Sequence, residues 1–259
     1  MSVMQTEAVP GLATHVVGEG APVTVFAHGL GGDSSETRML AARAPGTRVL
    51  LDFRGHGESA ALPGGWDYDL LADDLARVAG AYAATRAVGL SLGGGALLRL
   101  LTRDPHRFDR LAFVLPASLD ASRADAAAER MRGLGRAIDA GDADIVRDIL
   151  LDEVPAELRT RRGAQALVAR RAARLVQRPA PVPLRDDRPL PDRAALATFT
   201  APTLVVGQPD DPLHPLAIAT ELAGALPHAR LRTVAAGGVF WTASREVQAA
   251  LADHLGASA

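Results

Sequence analysis

A serine set between two glycines, Gly89-Leu90-Ser91-Leu92-Gly93, is the group in this chain whose setting best suits a nucleophile. Thr85 to Leu90 reads as a buried strand and Ala96 to Leu101 as a helix, which puts Ser91 on the turn between them. So tight a turn leaves little room beside the serine, and the flanking glycines supply that room. The turn also aims the first, unpaired amides of the helix at the hydroxyl, an arrangement that suits an oxyanion. The alternative is a Gly-rich structural turn, because so short a pattern also arises by chance.

The elements that would position this serine follow from spacing. Val23 to Ala27 is an apolar run ending in His28-Gly29-Leu30-Gly31-Gly32, and Arg48 to Phe53 runs into Arg54-Gly55-His56-Gly57-Glu58-Ser59. Asp33 to Ala44 and Tyr68 to Tyr82 read as helices, the latter with Leu71, Leu75, Val78 and Tyr82 on one face. Leu111 to Leu115, Thr203 to Gly207 and Arg230 to Val234 read as strands, with Thr14 to Val17 as an edge strand. Leu216 to Leu226 and Ala243 to Leu255 complete the helices. Alternating strands and helices argue for an α/β fold, a mostly parallel, doubly wound sheet that binds ligands at the carboxyl edge of its strands. Ser91, His28 and His56 all fall at that edge.

Between Pro116 and Thr200 the character changes to Ala- and Arg-rich helix, at 125–140, 143–151 and 165–177. Pro179, Pro181, Pro183, Pro189 and Pro191 then make a linker that cannot be regular helix. The domain reading is a core of residues 1–115 and 201–259 with a helical cap, 116–200, over the carboxyl edge. The pairs Arg161-Arg162 and Arg170-Arg171 read as solvated helix faces rather than an anion site.

Composition bounds the rest. The chain has 259 residues, 48% of them hydrophobic but only 4% aromatic, so its core must be mostly Leu, Val and Ala. A net charge of −2 points to neither a nucleic-acid nor a membrane partner. No lysine occurs, which excludes Schiff-base chemistry, and no cysteine, which excludes thiolate nucleophiles, disulfides and thiolate metal sites. No cofactor or metal is expected. Met1 to Pro10 has no signal-peptide pattern and no apolar run spans a bilayer, so the expected location is cytoplasmic.

These residues together resemble the α/β-hydrolase superfamily across nearly the whole chain. His28-Gly29 resembles its oxyanion segment, and the resemblance implies the amides of Leu30 and Leu92 as the two donors, with His28 lining the substrate site. Ala201 to Gly207 with Asp210 and Asp211 behind it resembles the strand that delivers the acid. Asp211-Pro212 with Pro215 resembles the acid turn, which favours Asp211 over Asp210; either could instead cap the following helix.

The departure is the base. The family's histidine lies between the last strand and last helix, where this chain has Val239 in Ala235-Ala236-Gly237-Gly238-Val239-Phe240-Trp241. His106, His228 and His254 belong at the opposite edge of the sheet, His254 on the order of 16 Å along its helix. His15 is on an edge strand, and His56 reads as a structural hydrogen-bonder. His214 follows Asp211 by three residues, too close in chain to stand opposite it without an unusual turn.

The expectation is therefore a site with Ser91, Asp211 and an oxyanion hole but an impaired triad. A serine hydroxyl is a weak nucleophile until a base takes its proton. Three functions fit: a hydrolase of a small apolar ester, thioester or lactone; a cyclase, lyase or isomerase using the oxyanion hole; or a ligand-binding protein. The Val239-Phe240-Trp241 rim suits an apolar ligand, or is simply core.

Overall fold

Neighbouring residues of the central strands face opposite ways, and each set meets its own layer of helices. The computed structural model describes residues 3–121, 126–177 and 188–257. Six parallel strands form the sheet's body: β3 (Val23–Ala27), β4 (Thr47–Leu51), β5 (Arg86–Leu90), β6 (Arg110–Val114), β7 (Thr203–Gly207) and β8 (Ala229–Thr233). Two antiparallel strands, β1 (Val3–Val9) and β2 (Leu12–Val17), extend it to the order β1-β2-β4-β3-β5-β6-β7-β8.

On one face Val25, Val49, Ala87, Leu111, Phe113 and Val205 pack against α2 (Tyr68–Ala81), α3 (Leu92–Arg103) and α7 (Leu216–Ala225). On the other, Phe26, Leu50, Val88, Ala112, Val114 and Val206 pack against α1 (Ser34–Leu40) and α8 (Ser244–Gly256). Both faces are covered, so the strands read as continuous apolar runs rather than half-polar alternations. The exception is β8, whose Arg230, Leu231, Arg232 and Thr233 are exposed at the sheet's edge; charge there discourages pairing with another chain.

The expected elements form with shifts of a few residues at their ends. The one strand not expected is β1, which takes the edge assigned to Thr14–Val17. Its signal was the Pro10-Gly11 turn, where Gly11 has φ 79°. The inserted helices are α4 (Ala126–Asp139), α5 (Ala143–Leu151) and α6 (Arg162–Gln177), with a small core of their own around Leu134, Val146, Leu150 and Val168. The expected linker prolines Pro179, Pro181 and Pro183 lie outside the described residues. Among the described residues no helix is long and apolar enough to cross a membrane.

Three histidines are locked inside. Burial lowers His28 to about 4, His56 to about 3 and His254 to about 4. In the unfolded chain a histidine titrates near 6.5. Between those limits the unfolded state binds more protons than the folded one, so stability falls as pH falls. The urea midpoint is expected to be lower at pH 5 than at pH 7.5; equal midpoints would show that these rings do not drive acid unfolding.

Candidate active site

The turn from β5 into α3 puts Ser91 at φ 48°, ψ −108°. That backbone region costs a residue with a side chain about 1–3 kcal/mol and persists only where neighbours over-determine it. Here the Ser91 amide donates to the Val114 carbonyl of the adjacent strand at 3.0 Å, and the Ser91 carbonyl accepts from Gly95 at 3.1 Å. Both flanking glycines are required by close approach. A Cβ at Gly89 would lie 2.6 Å from the Gly93 carbonyl oxygen, and one at Gly93 would lie 2.4 Å from the Ala27 carbonyl oxygen.

Strands β3 and β5 are paired neighbours, so the loop after β3 emerges beside Ser91. The Gly93 amide donates to the His28 carbonyl at 3.0 Å, which ties that loop to the elbow. Gly29 then lies against the serine: a Cβ built there would be 3.6 Å from Ser91 Cβ. Leu30 follows directly, and the Leu92 amide opens α3, where a helix offers it no acceptor.

His28 does not line the site. Its ring is fully buried, with Nδ1 donating to the Gly29 carbonyl at 2.7 Å and Nε2 accepting from the Phe53 amide at 3.1 Å. Its place is structural, tying the loop after β3 to the loop after β4. The sequence put it at the right edge but carried no sign of which way the ring turns.

An imidazole does reach the serine. His214 Nε2 stands 2.9 Å from Ser91 Oγ, and its Nδ1 is 3.1 Å from Asp211 Oδ2. The reading that left Ser91 without an imidazole is thereby corrected. Val239 does occupy the loop after β8, buried against α8 and the sheet, but the ring arrives from the loop after β7. What permits it is the turn that three-residue spacing was expected to forbid. Asp211 Oδ1 accepts from the Leu213 and His214 amides, both at 2.9 Å, wrapping the backbone around the carboxylate. Asp210 takes the positive φ of 56° that the turn needs and is itself exposed. Asp211, not Asp210, is therefore the carboxylate beside the ring.

Gln208 completes this turn. Its Nε2 donates to Asp211 Oδ2 at 2.7 Å, and its Oε1 accepts from the Val239 amide at 3.1 Å. The side-chain amide thus bridges the carboxylate to the loop where the resemblance had placed the base. Burial alone would raise Asp211, but the His214 ring, followed by the amides of His214 and Leu213, outweighs it and holds the carboxyl below its usual range. Asp211 is thus a carboxylate at neutral pH. Among the described residues no three His, Asp or Glu side chains gather as a metal site.

Helix α6 lies over the same edge through one helical face. Leu175 packs on Gly31, Arg174 pairs with Asp33, and Arg171 reaches Glu36 at 3.6 Å and Glu153 at 3.2 Å. Arg161, Arg162 and Arg170 are exposed, as expected, but Arg171 is not part of a solvated face.

The profile of the alpha/beta hydrolase family matches residues 24–252. The chain belongs to this family. It is 40% identical over 91 residues to a bifunctional esterase/perhydrolase of Acinetobacter calcoaceticus, a match covering 33% of this chain and 33% of that one. It is 34% identical over 122 residues to a putative carbamate hydrolase of Caulobacter segnis, covering 43% of this chain and 45% of the relative. These matches thus span less than half the length of either relative. A hydrolase from Pseudomonas aeruginosa PA01 superimposes with a TM-score of 0.78 at 23% identity, covering 98% of each chain. The enol-lactonase of Burkholderia xenovorans LB400 does so at 0.77 and 22% identity, over 98% of this chain and 100% of the other. At such identities the likeness concerns the fold.

The elbow makes a test of its own. Gly93→Ala is expected to destabilise the protein by about 1–3 kcal/mol, because strand and helix must part to admit the methyl group. Gly135→Ala, in α4 with nothing within 4 Å of the added methyl, is expected to stabilise it slightly. Urea midpoints for the two variants measure this; equal midpoints would contradict the close approach at Gly93.

Proposed function

We propose that this chain is a serine hydrolase of small, mainly apolar acyl compounds (esters, thioesters or lactones), with Ser91 as nucleophile, His214 as base and Asp211 orienting the base. The observation that carries this reading is the unbroken contact from Asp211 through His214 to Ser91 Oγ, at 3.1 and 2.9 Å. With Nδ1–H donated to Asp211, Nε2 presents its lone pair to the serine hydroxyl. Ser91 Oγ attacks the acyl carbon as its proton passes to Nε2, and Asp211 stabilises the imidazolium. The amides of Leu30 and Leu92 receive the developing oxyanion. The leaving group takes the proton from Nε2 as it departs, and water, deprotonated by the same nitrogen, releases the acid and restores Ser91.

Substrate would sit beneath α4–α6 acting as a cap. Leu30 and Trp241, both only partly buried, offer apolar surface on the loops at this edge. An esterase among the partial relatives is in keeping with the acyl class.

Kinetics on a panel of activated short esters, thioesters and lactones test the assignment. Ser91→Ala and His214→Ala are each expected to lower kcat/KM on the order of 10³-fold or more, with no further loss in the double variant. Val239→His should bring no gain, because a base is already in contact with the serine. Folded wild type whose turnover survives Ser91→Ala would overturn the reading. So would a large gain from Val239→His, which would show His214 to be idle.

A further inference from the structure

Gln208, the first residue after β7, stands outside the triad but touches its carboxylate. The side chain is buried and both of its polar ends are engaged: Nε2 donates to Asp211 Oδ2 at 2.7 Å, and Oε1 accepts from the Val239 amide at 3.1 Å. Neither partner tolerates the reverse. A backbone N–H can only donate and a carboxylate can only accept, so turning the amide over would set N–H against N–H and oxygen against oxygen. The direction of the side chain is fixed from both ends.

The end at Val239 is a firm anchor. Val239 is fully buried between α8 and the sheet. Its loop is closed by the Gly238 amide on the Ala235 carbonyl and the Ala243 amide on the Gly238 carbonyl, at 2.9 and 2.8 Å. The inserted segment bears on the same loop: a Cβ at Gly237 would lie 2.4 Å from Pro155 Cγ, and Trp241 packs against the core of the inserted helices. The end at Asp211 meets the oxygen that faces the ring. Oδ1 is held by the amides of Leu213 and His214, whereas Oδ2 is shared by Gln208 Nε2 and His214 Nδ1.

We propose that Gln208 is a positioning residue of this site: it relays the fixed Val239 amide to Asp211 Oδ2, sets the rotation of that carboxylate, and so holds the His214 ring on Ser91. The inference rests on the hydrolytic reading of Ser91, His214 and Asp211. The loop after β8 then contributes a backbone amide to the catalytic geometry instead of a side chain. Without Gln208 the turn still holds Oδ1, but Oδ2 can swing about that attachment and take the imidazole with it. The loss falls on proton transfer from Ser91 and leaves substrate contacts in place.

The test measures kcat and KM separately on an activated short ester for wild type, Gln208→Met, Asp211→Asn and their double variant, with urea midpoints to check folding. Met has nearly the volume of Gln but neither its donor nor its acceptor. Gln208→Met is expected to lower kcat on the order of ten- to a hundredfold with KM within about twofold. In the Asp211→Asn background the same substitution should cost little further, because the group it acts through is already altered. Gln208→Glu keeps an oxygen for the Val239 amide but sets a second carboxylate against Asp211, and should lose at least as much kcat as Gln208→Met. NMR of the neutral His214 ring should show the Nδ1–H form in wild type and a mixed or broadened signal in Gln208→Met. An equal fractional loss in the wild-type and Asp211→Asn backgrounds would overturn the proposal and reduce Gln208 to a tether of the turn. If Gln208→Met does not fold, Gln208→Glu decides: kcat near that of wild type would have the same meaning. Turnover that persists in Ser91→Ala would instead overturn the triad reading, whatever Gln208 does.

Discussion

Four hydrogen bonds converge on the carboxylate of Asp211, and the candidate site is built around them. Two come from the backbone of the turn that follows, at Leu213 and His214, and two from side chains, Gln208 and His214. A carboxylate that accepts from ionisable and backbone donors together is fixed in both position and charge. The turn cannot relax without losing several of these bonds at once. The imidazole is therefore held by its own backbone as well as by its ring. Charge-assisted bonds of this kind are the strong ones, and here they lie in a largely buried setting rather than on the surface, where a single pair would contribute little.

Much of the architecture was legible because it follows from two periodicities. Runs such as Val23 to Ala27 and Leu111 to Leu115 announce strands buried on both faces, and the i, i+3, i+4 pattern of Leu71, Leu75 and Val78 announces α2. The serine turn was legible too, since the space at Gly89 and Gly93 is a requirement that no larger residue meets. Strand β1 was overlooked because a run interrupted by Gln5, Thr6 and Glu7 carries little apolar signal. Its existence depends on pairing with β2, which is a tertiary fact.

The imidazole was missed for a more instructive reason. Spacing in sequence was taken as spacing in space, and that holds for regular elements but fails where a side chain organises the backbone around itself. The signal was present: an aspartate followed by Pro212 and Pro215 has little freedom except to fold back, and Gln208 stands ready to hold its far oxygen. His28 failed in the opposite direction. Its position along the chain was right, but the direction of a buried ring is set by partners such as the Phe53 amide, which arrive from a different strand. Arg171 was judged by its neighbour Arg170, although adjacent residues on a helix point about 100° apart.

Carrying Asp211 and His214 on one short segment changes how the site responds to motion. When acid and base stand on separate loops, each loop's fluctuation disturbs the alignment, and two independent displacements must be kept small. Here the pair translates as a unit, and only the distance from that unit to the serine turn is free to vary. That distance is spanned by strands β5, β6 and β7, whose residues are all buried except Arg86. The loop after β8 is left under fewer geometric demands, its Val239 buried as ordinary core. In such an arrangement the loop after β8 need only keep the Val239 backbone amide on Gln208, and no side chain from it has to reach the serine.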